Sequence, residues 1–510
     1  MTTQSTTSLP SDHPAQVFLR PLSDLPDPLP LPPLPPGKRG LFNISLRTPG
    51  SKSLTNRALL LAALSKGESH IHAPLLDADD ALRMRAALEQ LGVHLNLVGE
   101  TLTIRGIAGT WPVPSSGLTL NLNNAGTATR FLAAAALLAE NPLTIDGNAR
   151  MRERPIGELC QILTQLGAEC TFLEKPDCPP VRITPLKTRK SPGKVLDIPT
   201  TQSSQFISAL LLIAPWLEGG LTIRLTGEIT SPTYIEMSVG LLQRAGALVK
   251  TSEDLRIIRV GTPPPPAGQT PGLDAFDYDV EPDASSATYF WAAAAINPGS
   301  SAKLMGLSHR SLQGDASFPS LLARMGAIVE QNPATQNTPL SAREEPDQRD
   351  HFIMTTGPNA LEPIMADLST MPDTAMTLAA VACFAPGMSL LRGLRTLRVK
   401  ETDRIEALRN ELTKINVKVD CPVMGDHDVM AITPPPLAGG GDMTLASSRV
   451  EFDTYDDHRM AMSMAVIGLR RPGVFIKNPS CVAKTYPTFW QDLARLYSGT
   501  VLPGGAPSIS

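Results

Sequence analysis

Six segments of the chain are rich in Ala and Leu and are apolar on nearly every helical face. Each begins beside small or polar residues, and successive starts lie 72 to 88 residues apart. Because a helix that is apolar all round is normally buried, the pattern predicts six buried helices, one in each of six repeated units. The predicted helices span 53–64, 125–138, 203–214, 285–296, 373–385 and 457–469.

A second recurring segment is an amphipathic helix that ends at Gly or Asn before a short strand. Gly and Asn tolerate the left-handed conformation that commonly ends a helix. The predicted caps are Gly92, Gly167, Gly246, Gly326 and Asn416. Two helices and short strands in each of six units favour the α/β class, with the units grouped three and three into two domains.

The first 37 residues differ in composition from the rest of the chain. They contain ten prolines, with a run from Asp27 to Pro36 that alternates mostly between Pro and Leu. Proline-rich segments of this kind favour extended conformations without a packed core. The sequence therefore predicts a disordered arm over residues 1–37.

Composition and charge exclude several functional classes. A formal net charge of −4 provides no overall field for nucleic acid or an anionic membrane. The longest apolar runs are shorter than the ~18–20 residues of a membrane span, and the N-terminus lacks a secretory signal pattern. The six cysteines form no tight framework, which indicates reduced thiols. We therefore expect a cytoplasmic protein with no nucleic-acid, membrane or metal partner.

The candidate chemistry lies at and between the starts of the Ala-rich helices. The N-terminus of a buried helix favours anions, because its N–H groups are unpaired and its dipole is positive there. Lys and Arg in the same regions are too many for one monoanion. They are Lys52, Arg57, Arg154, Lys400, Arg404, Arg459 and Lys484.

Two acids accompany these basic residues. Asp373 begins the fifth Ala-rich segment, and Glu401 follows Lys400. Neither lies in a recognisable metal-ligand spacing, so proton transfer is the better interpretation. The chain has no Walker loop, no GxGxxG motif after a strand and no nucleophile elbow. Nucleotide-binding and serine-hydrolase interpretations are therefore weak.

Seven sequence blocks carry a resemblance to a known family. From about residue 42 to residue 497 the chain resembles the EPSP synthases, the 3-phosphoshikimate 1-carboxyvinyltransferases of the enolpyruvyl transferase family. The blocks run in that family's order. They are Pro-Gly-Ser-Lys-Ser, Asn-Ala-Gly-Thr-Ala, Glu-Arg-Pro-Ile-Gly, Ser-Ser-Gln-Phe, Asp-Ala-Ser-Ser-Ala, Arg-Val-Lys-Glu-Thr-Asp-Arg and Asp-His-Arg-Met-Ala-Met.

The resemblance implies a fold and a domain arrangement. The fold is a two-domain inside-out α/β barrel, in which each domain holds three copies of a repeated α/β unit. One domain would comprise residues 38–50 and 282–510, and the other residues 51–281. The active site would lie in the cleft between them.

The resemblance also implies the reaction and the residues that perform it. The family transfers the carboxyvinyl group of phosphoenolpyruvate to the 5-hydroxyl of shikimate 3-phosphate, without a metal or cofactor, and we expect this chain to act as a monomer. The implied catalytic residues are Asp373 as base, Glu401 as acid, and Lys52. The positions that match shikimate 3-phosphate contacts are Lys52, Ser53, Arg57, Ser203, Ser204, Gln205, Ser231, Asp373 and Lys400. Those that match the phosphoenolpyruvate site are Lys52, Asn124, Gly126, Arg154, Gln205, Arg404, Arg459 and Lys484. Arg130 and His458 match as supporting residues.

Two positions depart from the family pattern. Thr396 stands where the family often has Asn, which would remove one hydrogen bond to shikimate 3-phosphate. Phe131 stands where many bacterial members have Pro.

Two other functions remain as alternatives. The sister enzyme that acts on UDP-N-acetylglucosamine would require Lys-Asn in place of Lys52-Ser53, and a reactive Cys in a loop. A non-catalytic anion-binding paralogue would not require both Asp373 and Glu401.

Overall fold

The computed structural model describes residues 9–185, 195–262, 271–332, 351–435 and 448–498. The chain divides into two compact units. Unit one comprises Met1–Thr48 and Pro282–Ser510, and unit two comprises Pro49–Glu281. Across the ranges described, no helix combines the length and the apolar character that crossing a bilayer requires.

All six predicted Ala-rich helices are present and buried. In the helices Ala284–Ile296, Ala375–Ala382 and His458–Gly468 every residue is buried, as the all-round apolar pattern predicts. The six helices are α1 Lys52–Leu64, α3 Gly126–Ala135, α5 Ser204–Ile213, α7 Ala284–Ile296, α9 Ala375–Ala382 and α11 His458–Gly468.

The amphipathic helices and their caps are confirmed as well. Each predicted cap residue has a positive φ: 86° at Gly92, 99° at Gly167, 90° at Gly246, 101° at Gly326 and 62° at Asn416. The helices are α2 Asp79–Gln90, α4 Gly157–Gln165, α6 Pro232–Arg244, α8 Phe318–Arg324 and α10 Arg404–Thr413. A further helix, α12 Phe489–Ser498, ends the described chain.

The strands are short. In chain order the first are β1 Leu29–Leu31, β2 Asn43–Leu46, β3 Glu68–His72, β4 His94–Val98, β5 Thr101–Arg105, β6 Leu118–Asn121, β7 Leu143–Asp146, β8 Ala168–Phe172, β9 Val181–Pro185, β10 Val195–Ile198, β11 Leu221–Leu225 and β12 Leu248–Thr251. They continue with β13 Ile257–Gly261, β14 Asp277–Asp279, β15 Ser301–Met305, β16 Ile328–Gln331, β17 Phe352–Thr356, β18 Met365–Asp367, β19 Ser389–Arg392, β20 Lys418–Asp420, β21 Met430–Thr433, β22 Val450–Phe452 and β23 Val474–Ile476.

Six sheets repeat one topology, in which two parallel strands are followed by antiparallel neighbours. Unit two holds the orders β14-β3-β5-β4, β6-β7-β9-β8 and β10-β11-β13-β12. Unit one holds β2-β15-β17-β16, β18-β19-β21-β20 and β22-β23-β1. Burial alternates along strands such as β5 and β13, so one sheet face packs on the helices and the other faces outward. In each unit the helices therefore form the interior and the sheets the exterior.

The N-terminal arm is packed rather than disordered. Strand β1 pairs antiparallel with β23 and occupies the third position of the sixth sheet, with Leu29 opposite Ile476. Phe18 is fully buried and stacks on Trp490 of α12, with ring centroids 5.8 Å apart. The prediction of disorder is therefore wrong for residues 9–37, while residues 1–8 lie outside the described residues. Proline is tolerated in an edge strand, and the Leu and Phe side chains between the prolines find an apolar surface.

Candidate active site

In unit two the buried helices α1, α3 and α5 bring their first turns together. Gln205 at the start of α5 donates through Nε2 to Thr127 Oγ1 of α3, at 3.4 Å. Arg57 of α1 donates to Ser208 of α5, and its guanidinium lies 5.2 Å from the ring centroid of Phe131 of α3. Three helix N-termini therefore lie side by side, as an anion site requires.

Lys52 occupies the first turn of α1. Its Nζ lies 3.2 Å from the Oδ2 of Asp80, and both side chains are largely buried. The preceding turn depends on glycine, because a Cβ at Gly50 would lie 2.3 Å from the carbonyl oxygen of Ala73. Asp80 was not identified from sequence; its place in the first turn of an amphipathic helix carries no distinctive signal.

Arg57 is buried and fixed by four hydrogen bonds. Its Nε donates to Ser238 Oγ at 2.8 Å, and Nη1 donates to the Ser53 carbonyl at 2.9 Å. Its Nη2 donates to Ser208 Oγ at 3.2 Å and to the Tyr234 carbonyl at 3.0 Å. Burial lowers the pKa of Arg57 to about 10, so the guanidinium stays charged at neutral pH. The helix starts thus share a fixed positive charge.

A second cation lies at the start of α3. Arg154 is buried, and its Nη1 donates to Asn124 Oδ1 at 3.0 Å. A Cβ at Gly126 would lie 2.6 Å from Arg154 Nη2, so glycine permits this close approach. Arg130 donates to the Pro155 carbonyl at 2.9 Å, one residue beyond Arg154. Arg130 therefore supports the segment that carries Arg154.

Three serines lie at helix starts in the same unit. Ser203 caps α5 by accepting from the Gln205 backbone N–H at 3.2 Å, and Ser204 is buried beside it. Ser231 directly precedes α6 and has a φ of 48°. A serine in the left-handed region is uncommon, which makes Ser231 a locally constrained residue of the candidate site.

In unit one a buried arginine binds three carboxylates. Arg404 begins α10 and is 1% exposed. Its Nε donates to Asp457 Oδ2 at 2.8 Å, its Nη1 to Asp373 Oδ1 at 3.0 Å and its Nη2 to Glu401 Oε2 at 3.0 Å. We call this group, with the further cations that contact it, the Arg404 cluster. Its members are Asp373, Lys400, Glu401, Arg404, Asp457, Arg459 and Lys484.

Asp373 is the point at which three cations of the Arg404 cluster meet. Besides Arg404, the Nζ of Lys400 lies 3.2 Å from Oδ1, and Nη2 of Arg459 donates to Oδ2 at 3.1 Å. Asp373 lies in the short turn before α9, whereas Arg459 comes from the first turn of α11. The fold thus joins the starts of three helices through one carboxylate.

Glu401 is shared between two cations. Its Oε2 accepts from Arg404, and its Oε1 lies 3.6 Å from Nζ of Lys484. Both Glu401 and Lys484 are nine-tenths buried or more. The two acids singled out from sequence, Asp373 and Glu401, are therefore held by the same guanidinium.

The surroundings shift the pKa values of several groups. Burial alone would lower the pKa of Arg404, but the carboxylates of Asp457, Glu401 and Asp373 outweigh it and raise that pKa above its ordinary value. Burial lowers the pKa of Lys400, and Asp373 partly offsets this. Burial also raises the pKa of Tyr289, whose hydroxyl accepts from Arg459 at 3.5 Å, to about 12. Arg404 and Tyr289 therefore keep their protonated forms at neutral pH.

A further buried carboxyl lies near the cluster. Asp315 accepts a hydrogen bond from the Ser285 hydroxyl in the first turn of α7. Burial, followed by the charge of Asp373, raises the pKa of Asp315 to about 7, while Arg459 opposes the shift. This carboxyl was not identified from sequence.

The structure sorts the predicted site residues into two sets, one in each unit. Unit one holds Asp373, Lys400, Glu401, Arg404, Arg459 and Lys484. Unit two holds Lys52, Ser53, Arg57, Asn124, Gly126, Arg154, Ser203, Ser204, Gln205 and Ser231. Sequence reasoning missed Asp457, although an Asp at the start of the sixth Ala-rich segment is a recognisable N-cap.

Two further features follow from the residues present. The Oγ1 of Thr396 is buried and has no hydrogen-bond partner within the described ranges. In the same ranges no group of three His, Cys, Asp or Glu is arranged to hold a metal ion. The space among Asp373, Glu401 and Asp457 is occupied by the Arg404 guanidinium itself.

Comparisons with known proteins agree with the fold and with the motifs. A family model described as EPSP synthase, 3-phosphoshikimate 1-carboxyvinyltransferase, matches residues 39–493. The 3-phosphoshikimate 1-carboxyvinyltransferase of Shewanella denitrificans is 39% identical over 453 residues, which cover 88% of this chain and 96% of the relative. That of Proteus mirabilis is 38% identical over 454 residues, covering 89% and 96%.

Solved structures give the same result. The EPSP synthase of Acinetobacter baumannii matches with a TM-score of 0.68 at 26% identity, over 89% of this chain and 96% of that one. The predicted α/β fold, with two domains of inside-out type, is confirmed by this match. The sequence resemblance is confirmed too, since the family model and the curated relatives span most of the chain. The chain therefore belongs to the EPSP synthase family, the 3-phosphoshikimate 1-carboxyvinyltransferases.

Proposed function

We propose that the protein transfers the carboxyvinyl group of phosphoenolpyruvate to the 5-hydroxyl of shikimate 3-phosphate. The products are 5-enolpyruvylshikimate 3-phosphate and phosphate, a step of the shikimate pathway towards chorismate and the aromatic amino acids. The observation that carries this proposal is the Arg404 cluster. It holds two carboxylates suited to proton transfer, Asp373 and Glu401, among four cations.

The cations match the charge of the substrates. Phosphoenolpyruvate has a carboxylate and a phosphate, and shikimate 3-phosphate adds a second carboxylate and a second phosphate. Two such anions repel each other, so the protein must supply fixed positive charge to hold them in contact. Arg suits bidentate contacts with both groups, and Lys acts as a compact point charge.

We propose that the residue sets of the two units serve this one reaction. For phosphoenolpyruvate, we assign Arg404, Arg459 and Lys484 of unit one and Lys52, Asn124, Gly126, Arg154 and Gln205 of unit two. For shikimate 3-phosphate, we assign Asp373 and Lys400 of unit one and Lys52, Ser53, Arg57, Ser203, Ser204, Gln205 and Ser231 of unit two.

The reaction follows as an addition and an elimination. Asp373 takes the proton of the 5-hydroxyl as its oxygen attacks C2 of phosphoenolpyruvate, and Glu401 gives a proton to the methylene carbon, which becomes a methyl group. In the elimination, phosphate leaves C2 and takes the proton held by Asp373, while the methyl group returns a proton to Glu401, which restores the double bond. Lys52 and Arg404 stabilise the negative charge carried by the departing phosphate.

The sister reaction on UDP-N-acetylglucosamine is less consistent with the residues. The pair at the start of α1 is Lys52-Ser53 rather than Lys-Asn, and no Cys lies within the blocks assigned to phosphoenolpyruvate. A non-catalytic anion-binding role does not explain why Asp373 and Glu401 are both held in the Arg404 cluster.

One coupled assay tests the proposal. Purified protein is given phosphoenolpyruvate with shikimate 3-phosphate, or phosphoenolpyruvate with UDP-N-acetylglucosamine, and phosphate release is followed. We expect release only with shikimate 3-phosphate. Release only with the nucleotide sugar would establish the sister activity, and release with neither, from protein that still binds phosphoenolpyruvate, would favour the paralogue.

We also propose that the enzyme works in the cytoplasm as a monomer. All six cysteines are unpaired thiols in the structure, which suits a reducing compartment. Light scattering on the purified protein at micromolar concentration tests the monomeric state, and a mass of about twice 54.5 kDa would contradict it.

A further inference from the structure

The turn between β22 and α11, residues 453–457, has an unusual backbone. Tyr455 and Asp456 are consecutive non-glycine residues in the left-handed region, with φ values of 53° and 55°. A bulky aromatic residue rarely adopts this conformation. Such a backbone persists only when its surroundings hold it in place. The helix that follows begins with His458 and Arg459.

The buried carboxylate of Glu411 holds this turn. The hydroxyl of Tyr455 donates to Glu411 Oε1 at 2.7 Å, and the backbone N–H of Asp453 donates to Oε2 at 2.8 Å. Lys414 Nζ lies 2.5 Å from the same Oε2. Glu411 is 1% exposed, so its carboxylate is a fixed point inside unit one.

The other end of the same helix binds the end of the turn. Arg404, in the first turn of α10, donates to both carboxylate oxygens of Asp457, at 2.8 and 3.3 Å. Asp457 in turn accepts from the backbone N–H of Arg459 at 2.9 Å. Since Glu411 lies two helical turns beyond Arg404, α10 fixes the 453–457 turn at two separated points.

We propose that Tyr455 and Glu411 are positioning residues for Arg459. Their hydrogen bond keeps the 453–457 turn left-handed, and this conformation sets the direction in which Asp457 and Arg459 leave it. The inference rests on the proposed role of Arg459 in binding phosphoenolpyruvate. Neither Tyr455 nor Glu411 belongs to the set assigned to the substrates, so both act through the backbone of the turn.

The protonation of Tyr455 is consistent with this role. Burial, followed by the contact with Glu411, raises the pKa of Tyr455 to about 12. The phenol therefore remains a hydrogen-bond donor throughout the pH range in which the protein is handled.

Two substitutions at position 455 separate the effect of losing the hydrogen bond to Glu411 from the effect of a bulky side chain in the left-handed conformation. Tyr455→Phe removes the hydroxyl but leaves a bulky residue in the left-handed conformation. Tyr455→Gly removes the hydroxyl and also the conformational cost, because glycine adopts positive φ readily. We expect Tyr455→Phe to weaken phosphoenolpyruvate binding about tenfold. A loss of this size is expected when the conformational cost of one strained residue is no longer offset by its hydrogen bond. We expect Tyr455→Gly to bind more tightly than Tyr455→Phe, although it loses more atoms.

A third variant tests the acceptor. Glu411→Gln keeps the side-chain shape and one oxygen. In either orientation of the amide, its NH2 group replaces one of the two acceptor oxygens, so either the Asp453 backbone N–H or the Tyr455 hydroxyl proton loses its acceptor. We expect a loss of phosphoenolpyruvate affinity similar to that of Tyr455→Phe. If Glu411→Gln and Tyr455→Phe both bound phosphoenolpyruvate as the parent does, the proposal would be overturned.

A matched control and a second ligand exclude a general loss of stability. Tyr497→Phe removes a buried hydroxyl elsewhere in unit one, which donates to the Pro32 carbonyl at 2.6 Å, and keeps the ring that contacts Phe18. It should leave phosphoenolpyruvate affinity at the parent value. Shikimate 3-phosphate affinity, measured alone by calorimetry, should change less than twofold in every variant. Equal weakening of both ligands would reduce Tyr455 to a structural role and overturn the proposal.

Hydrogen exchange distinguishes failure of this inference from failure of the proposed function. The backbone amides of residues 457–460 are measured without substrate. Faster exchange in Tyr455→Phe than in Tyr455→Gly would support the proposal that the hydrogen bond to Glu411 keeps the 453–457 turn left-handed. This result would stand even if the variant Arg459→Lys showed that Arg459 does not bind phosphoenolpyruvate. Parent-like exchange in Tyr455→Phe overturns the inference and leaves the proposed function untouched.

Discussion

A single carboxylate, Asp373, connects three cations that come from different parts of unit one. Thr374, the residue directly before α9, makes no capping side-chain hydrogen bond at that helix start. Asp373 itself forms ion pairs with Lys400, Arg404 and Arg459. Capping a helix requires none of these three ion pairs, so capping alone does not explain this residue. The ion pairs are consistent with the proposed role of Asp373 as the base of the reaction.

The variant Asp373→Asn separates two roles of this side chain, that of a proton acceptor in the reaction and that of a hydrogen-bonding group. Asn keeps the shape and an acceptor oxygen but cannot take a proton from the 5-hydroxyl. Loss of a general base typically lowers the rate ~10²–10⁴-fold, so we expect kcat to fall within that range while shikimate 3-phosphate binding changes much less. Steady-state kinetics and calorimetry measure the two quantities. A folded variant with nearly the parent kcat would remove Asp373 from the catalytic step.

Gly126→Ala probes the approach of Arg154 to the start of α3. The new Cβ would lie 2.6 Å from Arg154 Nη2, so the guanidinium must move. We expect phosphoenolpyruvate affinity to fall about tenfold, which is ~1.4 kcal/mol, with a thermal midpoint close to that of the parent. Gly261→Ala is the matched control, because nothing lies within 4 Å of its added Cβ. Equal affinities for the two variants would contradict the assignment of Arg154.

At this scale the sequence identified most of the charged groups but not their pairing. Arg404 and Glu401 can be recognised as candidate site residues because they lie in one sequence motif. Asp457 is 53 positions from Arg404, and nothing local to it indicates a guanidinium partner. The open hydrogen-bonding capacity of Thr396 Oγ1 is likewise visible only once the side chain is seen to be buried.

At the scale of elements, the buried pair between Arg404 and Asp457 joins α10 to α11. Removing one charge of such a pair typically costs ~3–5 kcal/mol. For Asp457→Asn we expect the lower end of that range, because Asp373 and Glu401 still contact Arg404. Thermal unfolding measures the loss.

The control for this variant is an exposed pair. Asp420→Asn removes the partner of Lys418, where both side chains are well exposed. Exposed pairs contribute about 0–1 kcal/mol, so the thermal midpoint should hardly move. A midpoint for Asp457→Asn as high as that of Asp420→Asn would show that the buried pair does not hold α11.

Asp315 gives unit one a predictable pH dependence. Its pKa is about 7 in the folded protein and about 3.9 in an unfolded chain. Between these values the folded state binds more protons, so this group stabilises the fold most below about pH 4. That contribution is lost as pH rises to about 7, at up to about 1.4 kcal/mol per pH unit.

Asp315→Asn should remove this part of the pH dependence. The midpoint difference, variant minus parent, should therefore grow as the buffer is changed from pH 4.5 to pH 7, and stay constant above pH 7.5. Thermal unfolding in a series of buffers measures it. A difference that stayed flat over the whole range would show that Asp315 is ionised in the folded protein.

The helices could be predicted from sequence because each one satisfies a local rule of composition and capping. The strand pairing could not. Strand β14 pairs with β3 through Asp277 and His70, and β2 pairs with β15 through Asn43 and Ser301. Strands of three to five residues have too little periodicity to specify partners more than 200 residues away.

At the scale of the whole molecule, the N-terminal segment shows where composition misleads. The number of prolines indicates which backbone conformations residues 9–37 prefer. Whether the segment is ordered depends on the surfaces that its apolar side chains contact. Phe18 meets Trp490 and Tyr497, and Leu31 lies in a strand paired with Val474. Those partners lie more than 440 residues away, so no local pattern reveals them.

A chain of contacts also connects residues 9–37 to the candidate site. Trp490, on which Phe18 stacks, donates through Nε1 to the Pro479 carbonyl at 2.9 Å. Pro479 begins the short helical turn that ends at Lys484, and Lys484 contacts Glu401. The packing of Phe18 therefore supports the position of a proposed phosphoenolpyruvate ligand.

Phe18→Ala tests both consequences. Truncating a fully buried Phe typically costs ~3–5 kcal/mol, so the thermal midpoint should fall. Because Trp490 then loses the ring that packs against it, we expect a weaker affinity for phosphoenolpyruvate, about threefold (~0.7 kcal/mol), with shikimate 3-phosphate affinity unchanged. Deletion of residues 1–8 is the control, since it leaves Phe18 and β1 in place and should alter neither quantity. A Phe18→Ala protein with the parent midpoint would show that residues 9–37 contact unit one without stabilising it. A lower midpoint with the parent affinity for phosphoenolpyruvate would contradict only the proposed effect of Phe18 on the position of Lys484.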